Sequence, residues 1–134
     1  MPELRVLIAE DIGASRQLLA SLLRQLIPGV VVHGVADGAK VVETHRRLLP
    51  HITFLDIGLP NTSGLEVLRE IRLHDAESFI VIVSAHSTAK IIAEAVSLSV
   101  DGFVVKPYSA QRIVDALNRF RARARDGTAP QLRA

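Results

Sequence analysis

The sequence contains neither cysteine nor tryptophan, and only 4% of its 134 residues are aromatic. Without cysteine the chain has no disulfide framework and no thiolate chemistry, which fits a reducing compartment. Because aromatic residues are scarce and the formal net charge is only +2, we do not expect this domain alone to bind nucleic acid. What remains is the composition of an ordinary globular domain, with 49% hydrophobic and 22% charged residues.

Long hydrophobic stretches are missing as well. The N-terminal segment MPELRVLIAED has a short apolar stretch, residues 4–9, with acidic residues on both sides. A membrane-spanning helix needs about 20 apolar residues, and a signal peptide has a longer apolar core with basic residues before it. We therefore expect a cytoplasmic protein that does not bind a membrane.

Five short apolar segments recur along the chain, with segments of helical periodicity between them. Near-continuous runs of Val, Ile, Leu and Phe are typical of strands that are buried on both faces of a sheet. The predicted strands are residues 4–9, 30–35, 52–55, 79–83 and 103–105. Apolar spacing predicts the helices, with Leu18, Leu19, Leu22, Leu23 and Leu26 on the first and Ile91, Ile92, Ala95 and Val96 on the fourth.

Strands that alternate with helices predict an α/β fold, with a parallel sheet covered by helices on both faces. Five such units with right-handed crossovers fit the flavodoxin-like (βα)5 doubly wound sandwich, in which the strand order is 2-1-3-4-5. We expect one domain over residues 1–125, followed by a polar tail or the start of a linker over residues 126–134.

The segment ITFLDIGLPNTSG, residues 52–64, raises a chemical question, because a buried strand runs directly into the carboxylate of Asp56. An ionised group without a partner is costly to bury, since desolvation disfavours the charged form. Asp56 therefore either lies in solvent just outside the sheet or meets a cation.

Polar side chains at the ends of the other strands favour the second alternative. Glu10 and Asp11 follow the first strand, Ser84 follows the fourth and Lys106 follows the fifth. Taken singly, each fits an ordinary role at a helix start, in a turn or in solvent. Together they lie at the edge where such sheets bind ligands. Carboxylates, Mg²⁺, an ammonium and a hydroxyl are the parts needed to transfer a phosphoryl group to Asp56.

Four motifs carry a resemblance to a known family. They are VLIAED (residues 6–11), FLDIGLPNTSG (54–64), VIVSAHS (81–87) and DGFVVKPY (101–108). Over residues 4–123 the chain resembles the response-regulator receiver domains of bacterial two-component signalling, of the chemotaxis-regulator type. The resemblance implies that Asp56 accepts a phosphoryl group from the phosphohistidine of a sensor kinase or phosphotransfer protein. It also implies that Glu10, Asp11, Asp56 and the backbone carbonyl of Gly58 hold Mg²⁺.

The same resemblance implies a conformational switch. Ser84 moves toward the phosphoryl group, Phe103 turns inward, and the surface of the fourth helix, fifth strand and fifth helix binds a downstream protein that the sequence does not identify. A homodimer through this surface and a cis peptide bond before Pro107 also follow from the family. Such a domain is a signalling module rather than an enzyme, although it assists its own phosphorylation and autodephosphorylation. Two residues depart from the usual pattern: Glu10 replaces the commoner Asp, and Phe103 replaces the frequent Tyr.

Four alternatives accompany this hypothesis. A receiver domain cut from a longer multidomain regulator has the same motifs. A Mg²⁺-dependent aspartyl-phosphate phosphotransferase of the haloacid dehalogenase type requires a second acidic residue at the position where this chain has Gly58. A flavodoxin-like cofactor binder requires a Ser/Thr/Gly loop after the first strand. This chain has Glu10 and Asp11 there, which would repel a phosphate. A receiver-like domain that is never phosphorylated would not need the complete set of acids, hydroxyl and lysine.

Arginine and histidine side chains have simpler interpretations. The arginines of the last helix form a solvated face, with an acidic partner as the alternative; they are Arg112, Arg119, Arg121, Arg123 and Arg125. No two histidines lie four residues apart, so we interpret them as surface or hydrogen-bonded residues and not as metal ligands; they are His33, His45, His51, His74 and His86.

Overall fold

The computed structural model describes residues 3–125, in which strands and helices alternate. The strands are β1 (Arg5–Ala9), β2 (Val31–Val35), β3 (Ile52–Asp56), β4 (Phe79–Ser84) and β5 (Gly102–Val105). The helices are α1 (Gly13–Leu26), α2 (Gly38–Leu48), α3 (Gly64–His74), α4 (Ala89–Ser97) and α5 (Ala110–Arg125). The predicted tail, residues 126–134, lies outside the described residues, so the domain boundary stays a prediction.

All strand pairs are parallel, and the order in the sheet is β2-β1-β3-β4-β5. The predicted flavodoxin-like topology is therefore confirmed. β5 begins one residue earlier than predicted, at Gly102. β3 and β4 each end one residue later than predicted, because Asp56 and Ser84 still pair with their neighbours, Val83 and Val105. This extension fixes the backbone of both polar residues within the sheet, at the edge where the strands end.

Two hydrophobic cores cover the two faces of the sheet. One face packs against α1 and α5, and its largest buried side chains include Phe54, Leu23 and Phe120. The other packs against α2, α3 and α4 through residues such as Leu55 and Ile71. Burial on both faces explains why β3 and β4 are continuous apolar runs in the sequence.

The predicted helix faces are too wide at two places. Leu18 is 47% exposed, because Leu19 and Leu23 are the residues of α1 that point into the core. On α4 only Ala95 is buried, whereas Val96 is 66% exposed. A helix that rests on the sheet through one small residue needs few apolar contacts, so the α4 pattern overestimates its buried face. None of the described helices is both long and apolar enough to cross a lipid bilayer.

Candidate functional site

Three carboxylates converge where β1 and β3 end. Glu10, Asp11 and Asp56 each offer an oxygen within 4.8 Å of the others. Glu10 and Asp56 are buried, with exposed fractions of 1% and 5%, whereas Asp11 is exposed. Adjacent parallel strands place these residues side by side, since Ala9 pairs with Leu55 in the register. The structure thus brings together the acids that sequence analysis singled out.

Lys106 supplies the cation that the buried carboxylates require. Its Nζ lies 2.7 Å from Asp56 Oδ2 and also bonds to Glu10 Oε1. The Lys106 amide donates to the Ser84 carbonyl at 2.8 Å, which anchors the lysine beside the end of β4. The Lys106–Pro107 peptide bond is cis, as the resemblance implies. Asp56 therefore meets a cation, which answers the question raised by the sequence.

The charges of this cluster are strongly interdependent. Burial raises the pKa of Glu10 to about 7, and a hydrogen bond with Asp56 adds to this rise while Lys106 opposes it. Burial also disfavours ionised Asp56, but hydrogen bonds with Glu10, Lys106 and the Gly58 amide lower the pKa of Asp56 below its ordinary value. The pKa of Lys106 is raised, because the two carboxylates outweigh its burial. Near neutral pH Asp56 is thus the ionised carboxylate, and Glu10 is the one that binds a proton first.

Backbone contacts hold Asp56 in a fixed orientation. The Gly58 amide donates to Asp56 Oδ1 at 2.9 Å, so both carboxylate oxygens of Asp56 have partners. The first residue of α3, Gly64, lies so close that a Cβ there would be 2.1 Å from the Asp56 carbonyl oxygen. Ser63 caps α3 by accepting from the Glu66 amide. The glycine at the end of FLDIGLPNTSG is therefore a steric requirement of the site.

Of the two predicted switch residues, Ser84 lies next to the carboxylate cluster and Phe103 lies away from it. Ser84 ends β4, is buried, and its Oγ accepts from the His86 amide at 3.0 Å. Phe103 is half-buried, pairs with Ile82 in the register and packs on the core beneath α2, α3 and α4. Their roles in switching stay predictions, since the structure describes one conformation.

The donor set of the cluster fits a hard divalent cation. All ligand atoms are carboxylate oxygens, which Mg²⁺ prefers over nitrogen or sulfur ligands. Glu10 Oε2 is buried and has no hydrogen-bond partner among the described residues. A buried oxygen of this kind is costly unless a cation or another donor reaches it. The residues therefore fit Mg²⁺, with Glu10, Asp11 and Asp56 as the side chains that face it.

Sequence analysis missed two residues near Glu10. The guanidinium of Arg16 donates to the Glu10 backbone carbonyl at 2.8 Å and lies over Gly34, where a Cβ would be 2.8 Å from Arg16 Cδ. The hydroxyl of Tyr108 is buried and has no hydrogen-bond partner among residues 3–125. Tyr108 is the last residue of the motif DGFVVKPY, and its position two residues after Lys106 was the available signal.

Two of the histidines and one arginine of α5 contact other side chains of the protein. His45 Nε2 lies 2.8 Å from Ser78 Oγ, and His45 Nδ1 lies 3.4 Å from His74 Nε2. Arg123 pairs with Asp101 at 3.1 Å and stacks over the Phe79 ring, so this arginine is not part of a solvated face as predicted.

Comparisons with known proteins show which family the chain resembles. The model of the response regulator receiver domain family matches residues 6–118. The chemotaxis protein CheY of Thermotoga maritima is 33% identical over 116 residues, which cover 86% of this chain and 95% of that protein.

Solved structures share the fold. A CheY-like response regulator receiver domain protein from Methanospirillum hungatei JF-1 has a TM-score of 0.86 at 16% identity, covering 94% of this chain and 100% of that one. The receiver domain of the sensor histidine kinase PA1611 from Pseudomonas aeruginosa PAO1 has a TM-score of 0.79 at 23% identity, covering 89% and 98%. In that structure a magnesium ion is coordinated in the active site cleft.

Proposed function

The chain belongs to the response regulator receiver domain family, and we propose that it acts as a phosphoacceptor switch of a two-component phosphorelay with Asp56 as the acceptor. The observation that supports this role best is the state of Asp56. Its carboxylate is buried yet ionised, and Lys106 holds one oxygen while the other accepts the Gly58 amide. A fixed, ionised oxygen at the rim of a crevice is suited to nucleophilic attack.

In the proposed step, an Asp56 oxygen attacks the phosphorus of a phosphohistidine on a sensor kinase or phosphotransfer protein. The new O–P bond forms as the P–N bond breaks, and the imidazole leaves with the electron pair and takes up a proton. No oxidant or further substrate is required. With acetyl phosphate as donor, the P–O bond breaks instead and acetate is released.

Glu10, Asp11, Asp56 and the Gly58 carbonyl would hold Mg²⁺, which supplies positive charge that neutralises the phosphoryl oxygens. The ammonium of Lys106 donates a hydrogen bond to Asp56 Oδ2, so it is placed to stabilise the negative charge that develops on the phosphoryl group beside that oxygen. The Ser84 hydroxyl ends the neighbouring strand and would donate to a further phosphoryl oxygen. Gly58 offers no acidic side chain, which disfavours turnover of an external substrate by the haloacid dehalogenase route.

The output of the switch would be binding rather than catalysis. Ser84 moving toward the phosphoryl group, with Phe103 turning inward, would change the surface formed by α4, β5 and α5. The exposed Ile92 and Val96 on α4 give that surface an apolar component. We place this domain in the cytoplasm as residues 1–125, with a downstream protein or a second copy of the chain as its partner.

The test is the intact mass of the protein after incubation with acetyl phosphate, with and without Mg²⁺. We expect one Mg²⁺-dependent phosphate adduct on the wild-type protein and none on Asp56→Asn. Asp115→Asn is the matched control, because Asp115 is an exposed aspartate on α5 that does not belong to the carboxylate cluster. An adduct that persists in Asp56→Asn would refute the assignment of Asp56, and the absence of any adduct with acetyl phosphate or with a panel of sensor kinases would refute the proposed function.

A further inference from the structure

Two polar atoms near the candidate site are buried without a hydrogen-bond partner among the described residues. They are Glu10 Oε2 and the hydroxyl oxygen of Tyr108. Leaving one such group unsatisfied costs about 1–3 kcal/mol, so folded proteins seldom do so without a reason. Both atoms belong to residues at the carboxyl edge of the sheet, since Glu10 follows β1 and Tyr108 follows the Lys106–Pro107 pair after β5.

The phenol of Tyr108 lies within electrostatic reach of the carboxylates. Burial raises the pKa of Tyr108 well above its ordinary value, and the charges of Glu10 and Asp56 and a hydrogen-bonding interaction with Glu10 raise it further. The geometry falls short of a complete hydrogen bond in this conformation, because neither unpaired atom has a partner at normal distance and angle. The phenol therefore keeps its proton and faces Glu10 as a donor.

Glu10 needs such a donor because only part of the residue is held. Its amide donates to the Val35 carbonyl at 2.9 Å and its carbonyl accepts from Arg16, so the backbone is fixed on both sides. Its side chain accepts a hydrogen bond from Lys106 at Oε1, whereas Oε2 has no partner among the described residues. Glutamate has one more rotatable bond than the aspartate that is commoner here, and fixing that bond costs conformational entropy.

Lys106 cannot hold Glu10 throughout the proposed reaction. Its ammonium also contacts Asp56 Oδ2, and a phosphoryl group on Asp56 would compete for it. The hydrogen bond from Lys106 to Glu10 would then weaken at the step in which the orientation of Glu10 matters most. A second donor on Oε2 removes this dependence.

We propose that Tyr108 is a positioning residue for Glu10, whose phenol donates to Oε2 and orients the carboxylate toward a bound divalent cation. This inference depends on the proposed function, because it assumes that Glu10 serves a metal site. Hydrogen-bond partners of metal ligands commonly change metal affinity by about 10–100-fold when they are removed. The motif DGFVVKPY alone does not indicate this role for Tyr108, because a phenylalanine at that position would fill nearly the same space.

The experiment is a calorimetric titration of the whole chain with Mg²⁺. Tyr108→Phe removes the hydroxyl and keeps the ring, and we expect Mg²⁺ to bind about tenfold more weakly. Thermal unfolding without metal checks that the variant is folded. If the ring of Tyr108 only fills space, Tyr108→Phe leaves the Mg²⁺ affinity unchanged.

A double-mutant cycle identifies the partner of the phenol. Glu10→Asp keeps a carboxylate for the metal but withdraws it by one methylene, so Tyr108→Phe should have no further effect on Mg²⁺ affinity in that background. Asp11→Asn is the matched control in the same cluster. Asp11 is exposed and is not among the charges that act on Tyr108, so Tyr108→Phe should still cost about tenfold there.

The chain also carries its own optical probe. Tyr108 is its one tyrosine and there is no tryptophan, so tyrosine emission reports this side chain alone. We expect Mg²⁺ to change that emission in the wild-type protein and not in Glu10→Asp. Unchanged Mg²⁺ affinity in Tyr108→Phe, or equal effects in all backgrounds, would overturn the positioning role only. Failure of the wild-type protein to bind Mg²⁺ would overturn both this role and the metal step of the proposed function.

Discussion

The two ends of the sheet differ in how their buried charges are balanced. At the carboxyl end, Glu10, Asp11 and Asp56 face one ammonium, that of Lys106, and Glu10 Oε2 has no partner among the described residues. At the amino end, one carboxylate lies between two guanidinium groups, because Asp101 pairs with Arg72 at 3.5 Å and with Arg123 at 3.1 Å.

The amino end uses its charges to close the structure. Arg72 donates to the carbonyl oxygens of Leu98 and Ser99, so it caps the C-terminal end of α4. Asp101 Oδ2 accepts from the Ile80 amide at 2.9 Å. Removing one member of a balanced, buried ion pair is destabilising, because the other charge is left without a partner. An excess of one sign in a buried crevice instead indicates a ligand of the other sign. The following substitutions test this contrast.

The largest effect is expected from Lys106→Ala, which removes the ammonium that pairs with the carboxylates of Glu10 and Asp56. Phosphorylation of Asp56 by acetyl phosphate should slow by about 100- to 1,000-fold, since a donor placed on developing charge is lost. The time course of the phosphate adduct in intact mass measures the rate. Lys90→Ala on α4 is the control and should react like the wild-type protein; an unchanged rate in Lys106→Ala would mean that the ammonium is only structural.

The next effect concerns pH at the amino end. Burial lowers the pKa of His45 to about 4 from an ordinary value of 6.5, and the neighbouring His74 and Arg72 lower it further while Asp75 opposes them. As pH falls from 6.5 to 4 the unfolded chain binds a proton that the folded chain does not, so up to about 3 kcal/mol of stability is lost in that range.

Urea unfolding at a series of pH values checks this prediction. His45→Gln should lose less stability than the wild-type protein between pH 6.5 and pH 4. His33→Gln, at an exposed histidine on β2, should follow the wild-type curve. Parallel curves for wild type and His45→Gln would contradict the assignment of the acid sensitivity to His45.

A smaller effect is expected from Asp101→Asn. The substitution keeps the shape of the side chain but removes the charge between two arginines, and we expect a loss of about 2 kcal/mol in the free energy of unfolding. The phosphorylation rate should be unchanged, because Asp101 lies at the opposite end of the sheet from Asp56. Urea unfolding and intact mass measure both quantities, and a slowed phosphorylation would show that the two ends are coupled.

The smallest effect tests whether partial burial matters. Arg69 and Glu94 form a salt bridge of 3.1 Å, but the Arg69 side chain is 52% exposed. We expect Arg69→Ala to change the free energy of unfolding by less than about 0.5 kcal/mol, because water screens exposed pairs. A loss as large as that of Asp101→Asn would remove the distinction drawn between the two kinds of ion pair.

Local patterns were sufficient for the fold and for the assembly of the site. The strands are near-continuous apolar runs, and parallel topology alone brings the residues after β1, β3 and β5 to one edge. The proximity of Glu10, Asp56 and Lys106 therefore follows from the order of elements. Their chemical roles, and those of Ser84, Phe103 and Gly58, stay predictions that the substitutions above address.

Contacts between distant side chains could not be predicted in the same way. Asp101 was visible only as the first residue of a motif, because its partners on α3 and α5 are 29 and 22 residues away. The approach of His45 to His74 joins two helices and has no sequence period. The sequence predicts only a packing role for Tyr108 and does not show that its hydroxyl is buried without a partner among the described residues. Polar contacts of this kind depend on how the helices and strands pack together, and the hydrophobic periodicity of each element does not predict that packing.

The bond from Lys106 to Glu10 joins residues that are 96 positions apart, across nearly the whole sheet. Closing so long a loop is slow and entropically costly, so contacts of this span form late in folding. The crevice consequently gains its ammonium only after the first and last strands have joined the same sheet. A nascent or partly unfolded chain has Asp56 without Lys106 beside it, so the proposed acceptance of phosphate would require the finished fold.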